Sequence, residues 1–132
     1  MEIDHIGIAV RKLEPALAVY GAIGIRATMT EAVPSEGVRV AFLPVGESHI
    51  ELLEPLAADG PIAKFLENRG EGLHHIALAV DDIQAAMTRA RSGGLAVIDE
   101  VPRQGARGRK VAFVHPKSTG GVLLEFVQNA PR

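Results

Sequence analysis

DHIGIAV (Asp4 to Val10) and HHIALAV (His74 to Val80) decide how this chain reads, because the second is the first rewritten 70 positions later. The correspondence continues through Leu13/Ile83, Ala16/Ala86 and Leu17/Met87 to Gly24/Gly94, so it spans a strand-like run, a helix-like run and the turn after it. Further along, GVRVAFL (Gly37 to Leu43) resembles GRKVAFV (Gly108 to Val114), and HIELLEP (His49 to Pro55) resembles VLLEFVQ (Val122 to Gln128) once the two are shifted by one residue to bring the glutamates into line. This is an internal repeat. It pairs His5 with His75 and Glu51 with Glu125.

Each copy predicts the same order of elements. From Ile3 to Val10, His5, Gly7 and Ala9 alternate with Ile6, Ile8 and Val10, the period of two that marks a strand. Leu13, Ala16, Leu17 and Tyr20 recur at helical spacing and stop at Gly21 and Gly24. Val38 to Val45 and His49 to Leu53 are strands joined by a turn at Gly46 and Glu47. The second copy predicts a strand over Leu73 to Val80, a helix over Ile83 to Arg91, then strands near Leu95 to Glu100, Lys110 to His115 and Gly121 to Gln128. Each module therefore reads as strand, helix and three strands, an α+β pattern. Module 1 covers about 1–55 and module 2 about 72–132. Residues 56–71 form a linker with a short helical pattern in Ile62, Phe65 and Leu66 that ends at Gly70. QGARGRK (Gln104 to Lys110) reads as a mobile basic loop.

The chain has 132 residues, the length of one domain, and a half of about 60 residues alone would bury too little surface to be robust. A net charge of −2 with mixed signs leaves no footprint for nucleic acid or an anionic membrane, and neither partner is expected. At 4% aromatic residues there is no stacking platform for single strands. No basic, apolar leader pattern opens the sequence, so the expected setting is cytoplasmic. Zero cysteines exclude thiolate ligands, so any metal must be held by nitrogen and oxygen.

His5 and His75 each share a strand face with small residues, Gly7 and Ala9 in one copy, Ala77 and Ala79 in the other. That leaves room beside the imidazole for an ion. Glu51 lies between Ile50 and Leu52, and Glu125 between Leu124 and Phe126. A carboxylate in such a strand costs several kcal/mol to bury unless a cation or hydrogen bonds compensate it. Either residue alone reads equally well as an ordinary strand side chain. Two histidines and two glutamates at repeated positions suit a borderline divalent metal such as cobalt, zinc, nickel or manganese. His74, His49 and His115 are weaker candidates, and the repeat selects His75 over its neighbour.

With these residues in view, the sequence resembles the vicinal oxygen chelate superfamily and, within it, the methylmalonyl-CoA epimerase family. The resemblance is carried by DHIGIAV, GVRVAFLPVGESHIELLEP, GLHHIALAVDDI and HPKSTGGVLLEF, nearly the whole chain. It implies paired βαβββ modules whose curved mixed sheet encloses a divalent metal, and a homodimer. The family's ligand positions carry over to His5, Glu51, His75 and Glu125. One departure stands out: where some members have a glutamate thought to act as a base, this chain has Val40. The nearby Glu36 reads as a solvated loop charge.

The activity implied is inversion at C2 of a methylmalonyl thioester, by removing the proton between two carbonyl groups and returning it on the other face. Glu125 and Glu51, from opposite modules, are the expected acid/base pair. Lys117 and Ser118, in HPKSTGG, are candidates for binding the substrate carboxylate, although the same residues serve as turn chemistry. Arg103, Arg107, Arg109, Lys110 and Lys117 form a basic cluster suited to the phosphates of an acyl-CoA. A glyoxalase-type isomerase (lactoylglutathione lyase-like) shares the ligand chemistry and is the nearest alternative. An extradiol dioxygenase uses two histidines and one carboxylate, so a fourth ligand argues against it. A metal-free binding or resistance protein of the same fold would use an aromatic groove, for which this chain is poorly equipped.

Overall fold

The computed structural model describes residues 1–131. The chain divides into two compact units, one comprising His5–His74 and the other Met1–Asp4 with His75–Arg132; each boundary falls inside a strand that has most of its residues in one unit.

In the first unit the alternation read at the start of the chain becomes β1 (Glu2–Ala9), and the helical spacing after it becomes α1 (Leu13–Gly21). β2 (Met29–Val33), β3 (Val38–Val45) and β4 (Ser48–Pro55) follow, then α2 (Pro61–Arg69) in the segment predicted as linker. β2 runs antiparallel to β3 and β3 antiparallel to β4, whereas β4 pairs in parallel with β1, His5 standing opposite His49. The order is thus β2-β3-β4-β1. α1 covers one face, where Leu13 packs with Val10, Ala41, Leu43 and Leu52.

The second unit repeats the plan. β5 (Gly72–Ala79) and α3 (Ile83–Ser92) are followed by β6 (Arg103–Gln104), β7 (Lys110–Val114) and β8 (Leu124–Gln128). β5 pairs in parallel with β8, β8 antiparallel with β7, and β7 antiparallel with β6. α3 buries Ile83, Met87 and Ala90 against Ala112, Val114 and Phe126. The two βαβββ modules expected from the repeat are therefore present, each a four-stranded mixed sheet with its helix on one face.

Two details show how deep the repeat goes. Gly24 and Gly94 follow α1 and α3 with φ of +86° and +87°, the left-handed conformation that ends each helix without a Cβ penalty. At the other end, the Leu13 N–H donates to Glu54 Oε2 at 2.8 Å and the Ile83 N–H to Gln128 Oε1 at 2.9 Å. Each helix start is satisfied by a side chain from the module's last strand, three residues beyond the repeated glutamate.

One expectation needs correction. Residues 95–100 do not form a strand: they make one isolated bridge, Val97 to Val114. The ladder stops there because the Asp99 carboxylate accepts the Phe113 N–H at 2.8 Å, replacing a backbone partner with a side chain. The edge pairing resumes only at Arg103. Within Gln104 to Lys110 the Gly105 N–H donates to the Arg109 carbonyl at 2.8 Å and Arg107 adopts φ 58°, closing a turn.

Replacing either cap acceptor, Glu54→Ala or Gln128→Ala, should lower unfolding free energy by about 1 kcal/mol, as loss of a helix N-cap does. Urea denaturation of the two variants beside the surface control Glu14→Ala would measure it.

Candidate metal centre

Because side chains alternate along a strand, the sheet face opposite each helix receives the residues that the helix does not cover. In the first unit these are His5 from β1 and Glu51 from β4. Both are buried, 1% and 4% exposed, and His5 Nδ1 stands 3.0 Å from Glu51 Oε2. In the second unit β5 supplies His75 and β8 supplies Glu125, each 6% exposed, with His75 Nε2 3.1 Å from Glu125 Oε1. The four residues singled out by the repeat thus form two buried imidazole–carboxylate pairs, one per unit.

Small residues make this possible. Gly7 is the register partner of Glu51, and Ala77 is that of Glu125, so neither carboxylate meets a bulky neighbour on its parallel strand. On the antiparallel side both glutamates face a phenylalanine, Phe42 opposite Glu51 and Phe113 opposite Glu125. The Phe113 ring meets His75 edge-on, centroids 5.8 Å apart. An apolar floor of this kind excludes water and strengthens whatever charge pairing remains.

The pairs fit a hard-to-borderline divalent cation. Adjacent donors about 2.1 Å from a six-coordinate ion stand roughly 3 Å apart, the spacing found in both units. All the donors are imidazole nitrogen or carboxylate oxygen. Burying two carboxylates without a compensating positive charge would cost several kcal/mol each, which such an ion would supply.

Other residues of interest fall elsewhere. His74 packs its ring edge-on against Phe65 of α2 at 4.9 Å, away from the pair that His75 makes. His115 is exposed, and its Nδ1 accepts the Lys117 N–H. Ser118 Oγ accepts the Ala96 N–H at 2.8 Å, and Lys117 is exposed in the same turn. Arg109 leaves the basic cluster altogether: it is 2% exposed and its Nη1 pairs with Asp4 Oδ2 at 2.7 Å. Arg103 pairs with Asp99 and lies over the Phe113 ring, 5.3 Å from its centroid, while Arg107, Lys110 and Lys117 remain on the surface.

Val40 is 2% exposed, two residues before Phe42 on β3 and opposite Leu53. It therefore shares a sheet face with Glu51 and adds an apolar side chain to the wall. The residue underrated in the sequence is His49, whose Nε2 lies 3.0 Å from Glu51 Oε2. The signal was available, since residues two apart on a strand share a face, but the repeat offered no counterpart to draw attention to it.

A family model of the Glyoxalase/Bleomycin resistance protein/Dioxygenase superfamily matches residues 4–113. The chain is 43% identical to the mitochondrial methylmalonyl-CoA epimerase of Homo sapiens over 129 residues, covering 96% of this chain and 73% of that protein. It is 41% identical to the ethylmalonyl-CoA/methylmalonyl-CoA epimerase of Cereibacter sphaeroides over 129 residues, 96% of both chains. Among solved structures, a variant Streptomyces coelicolor methylmalonyl-CoA epimerase in complex with 2-nitronate-propionyl-CoA superposes with a TM-score of 0.95 at 39% identity, covering 98% of this chain and 95% of that one.

If the two pairs bind a cation, Co²⁺ at a hundred times its dissociation constant should raise stability by about 2.7 kcal/mol. Thermal melts should show the gain in the wild type and lose it in both His5→Ala and His75→Ala. A gain that survived in either variant would mean that its pair is not needed.

Proposed function

The chain belongs to the Glyoxalase/Bleomycin resistance protein/Dioxygenase superfamily, and on that basis we propose that it is a metal-dependent epimerase that interconverts the (R) and (S) forms of methylmalonyl-CoA. The observation that carries the reading is the repeated buried pair, His5 with Glu51 and His75 with Glu125. Its support from relatives is the near-complete coverage of proteins that act on this substrate class.

In this proposal His5, Glu51, His75 and Glu125 together hold one divalent ion per chain, Co²⁺ first among Co²⁺, Zn²⁺, Ni²⁺ and Mn²⁺. When bound, such an ion supplies Lewis-acid stabilisation of the negative charge that develops on the thioester oxygen as the C2 proton leaves. The remaining work falls to the chain. Glu125, which has to loosen from ligation during turnover because a metal-bound carboxylate is a weak base, takes the proton from one face, and Glu51, from the other copy of the repeat, returns one on the opposite face. Val40 removes the carboxylate that some relatives are thought to use, which places the burden on these two. The apolar neighbours Phe42, Phe113 and Val40 keep water from competing for the carbanion. Lys117 and Ser118 bind the substrate carboxylate from the turn after β7, and Arg103, Arg107 and Lys110 supply positive charge for the phosphates of the carrier. The homodimer and the cytoplasmic setting belong to the same reading, by family resemblance.

The described residues contain no helix long and apolar enough to cross a membrane. Discrimination between methylmalonyl and ethylmalonyl groups turns on one methylene, worth about 1 to 3 kcal/mol in an apolar pocket.

The test is a chiral assay of (R)-methylmalonyl-CoA conversion on metal-loaded protein. Wild type should give an equal mixture of the two forms. Glu125→Gln, assayed with its metal content matched to wild type, should lose on the order of 10² to 10⁴ in kcat, the usual worth of a general base. Near-normal turnover in that metal-loaded variant would remove Glu125 from the proposed role, and an inactive metal-loaded wild type would refute the epimerase assignment.

A further inference from the structure

His49 breaks the symmetry of the repeat. The position equivalent to it, two residues before Glu125, holds Leu123, which has no side-chain hydrogen-bond donor. In the first unit, Glu51 Oε2 sits between two imidazoles, 3.0 Å from His5 Nδ1 and 3.0 Å from His49 Nε2. The local strand geometry accounts for this. His49 and Glu51 lie two residues apart on β4, so they share a face, and His49 is the register partner of His5 on the parallel strand β1.

The ring of His49 is held on two sides. It stacks on His5 with centroids 5.5 Å apart and planes inclined by 29°, and it leans against Phe42 at 6.0 Å and 52°. With its faces so occupied, the ring edge that carries Nε2 is directed at the Glu51 carboxylate. Its side chain is 13% exposed, compared with 5% for Glu51, so His49 stands on the solvent side of the buried pair.

We infer that His49 is a positioning residue for Glu51: it donates its Nε2–H to Oε2 and fixes the rotation of the carboxylate, so that Glu51 meets the cation in one orientation. The module with Leu123 has no equivalent donor at that position, and the two repeated glutamates are therefore held differently although their strands are alike. A carboxylate whose orientation is fixed before the ion arrives loses less conformational freedom on binding it. Partners that orient a ligand in this way are typically worth 10- to 100-fold in metal affinity.

The consequence for affinity rests on the proposed cation site, so the experiment has one arm that needs no metal. In the metal-free wild type, ¹⁵N-resolved NMR of the histidine side chains should find His49 with its proton on Nε2, and that proton should exchange slowly with solvent. A proton on Nδ1, with Nε2 bare, would overturn the inference whether or not the protein binds metal. In the second arm, His49→Leu, which copies Leu123, should weaken Co²⁺ binding by 10- to 100-fold in chelator competition and alter the visible absorption of the Co²⁺ protein. His49→Gln, which can still donate, should recover most of both. Wild-type affinity and an unchanged spectrum in a folded His49→Leu would contradict the inference, whereas a wild type that takes up no Co²⁺ at all would instead contradict the cation site.

Discussion

A carboxylate inside an apolar strand has to be compensated by a cation or by hydrogen-bonding groups, and in each copy of the repeat an imidazole stands beside it, His5 at 3.0 Å from Glu51 and His75 at 3.1 Å from Glu125. Much of the local architecture follows from it. The imidazole must come from a strand hydrogen-bonded in parallel to the one bearing the glutamate, the residue opposite the glutamate on that strand must be small, and the helix must pack on the other face. Gly7 and Ala77 meet the second demand, and α1 and α3 meet the third. The same last strand then returns a side chain, Glu54 or Gln128, to the start of the helix. Site and core are thus two faces of one sheet, tied together through a single strand.

Charge and shape divide the chemistry between the faces. On the helix side, Leu13 and Ile83 pack into apolar clusters. On the other side, phenylalanines and Val40 surround the imidazole–carboxylate pairs, so the few polar atoms there act in an environment that magnifies them. Arg109 shows the opposite use of charge. Its buried guanidinium is spent on Asp4 at the start of β1, which makes it part of the scaffold.

Much of this was legible in the sequence because the chain repeats itself. The alternation in DHIGIAV and HHIALAV gave β1 and β5, the spacing of Leu13, Ala16, Leu17 and Tyr20 gave α1, and comparison of the copies selected His75 in preference to His74. The features missed are those in which the copies differ or a side chain overrides a pattern. Leu95 to Glu100 has strand composition, but Asp99 takes the Phe113 N–H and ends the pairing. Arg109 reads as one more surface cation until Asp4, 105 positions away in sequence, is seen beside it. His49 has no partner in the second copy, so the argument from duplication that raised the other four residues passed it by.

The measurement that bears most directly on the central claim is solvent deuterium incorporation at C2 of methylmalonyl-CoA, followed by proton NMR with metal-loaded and chelator-stripped protein side by side. Rapid exchange with the loaded protein, lost on stripping and restored by adding Co²⁺, is what the proposed metal-dependent epimerisation predicts. Exchange that is unaffected by stripping, or that is absent from a protein shown to hold one metal per chain, would contradict it.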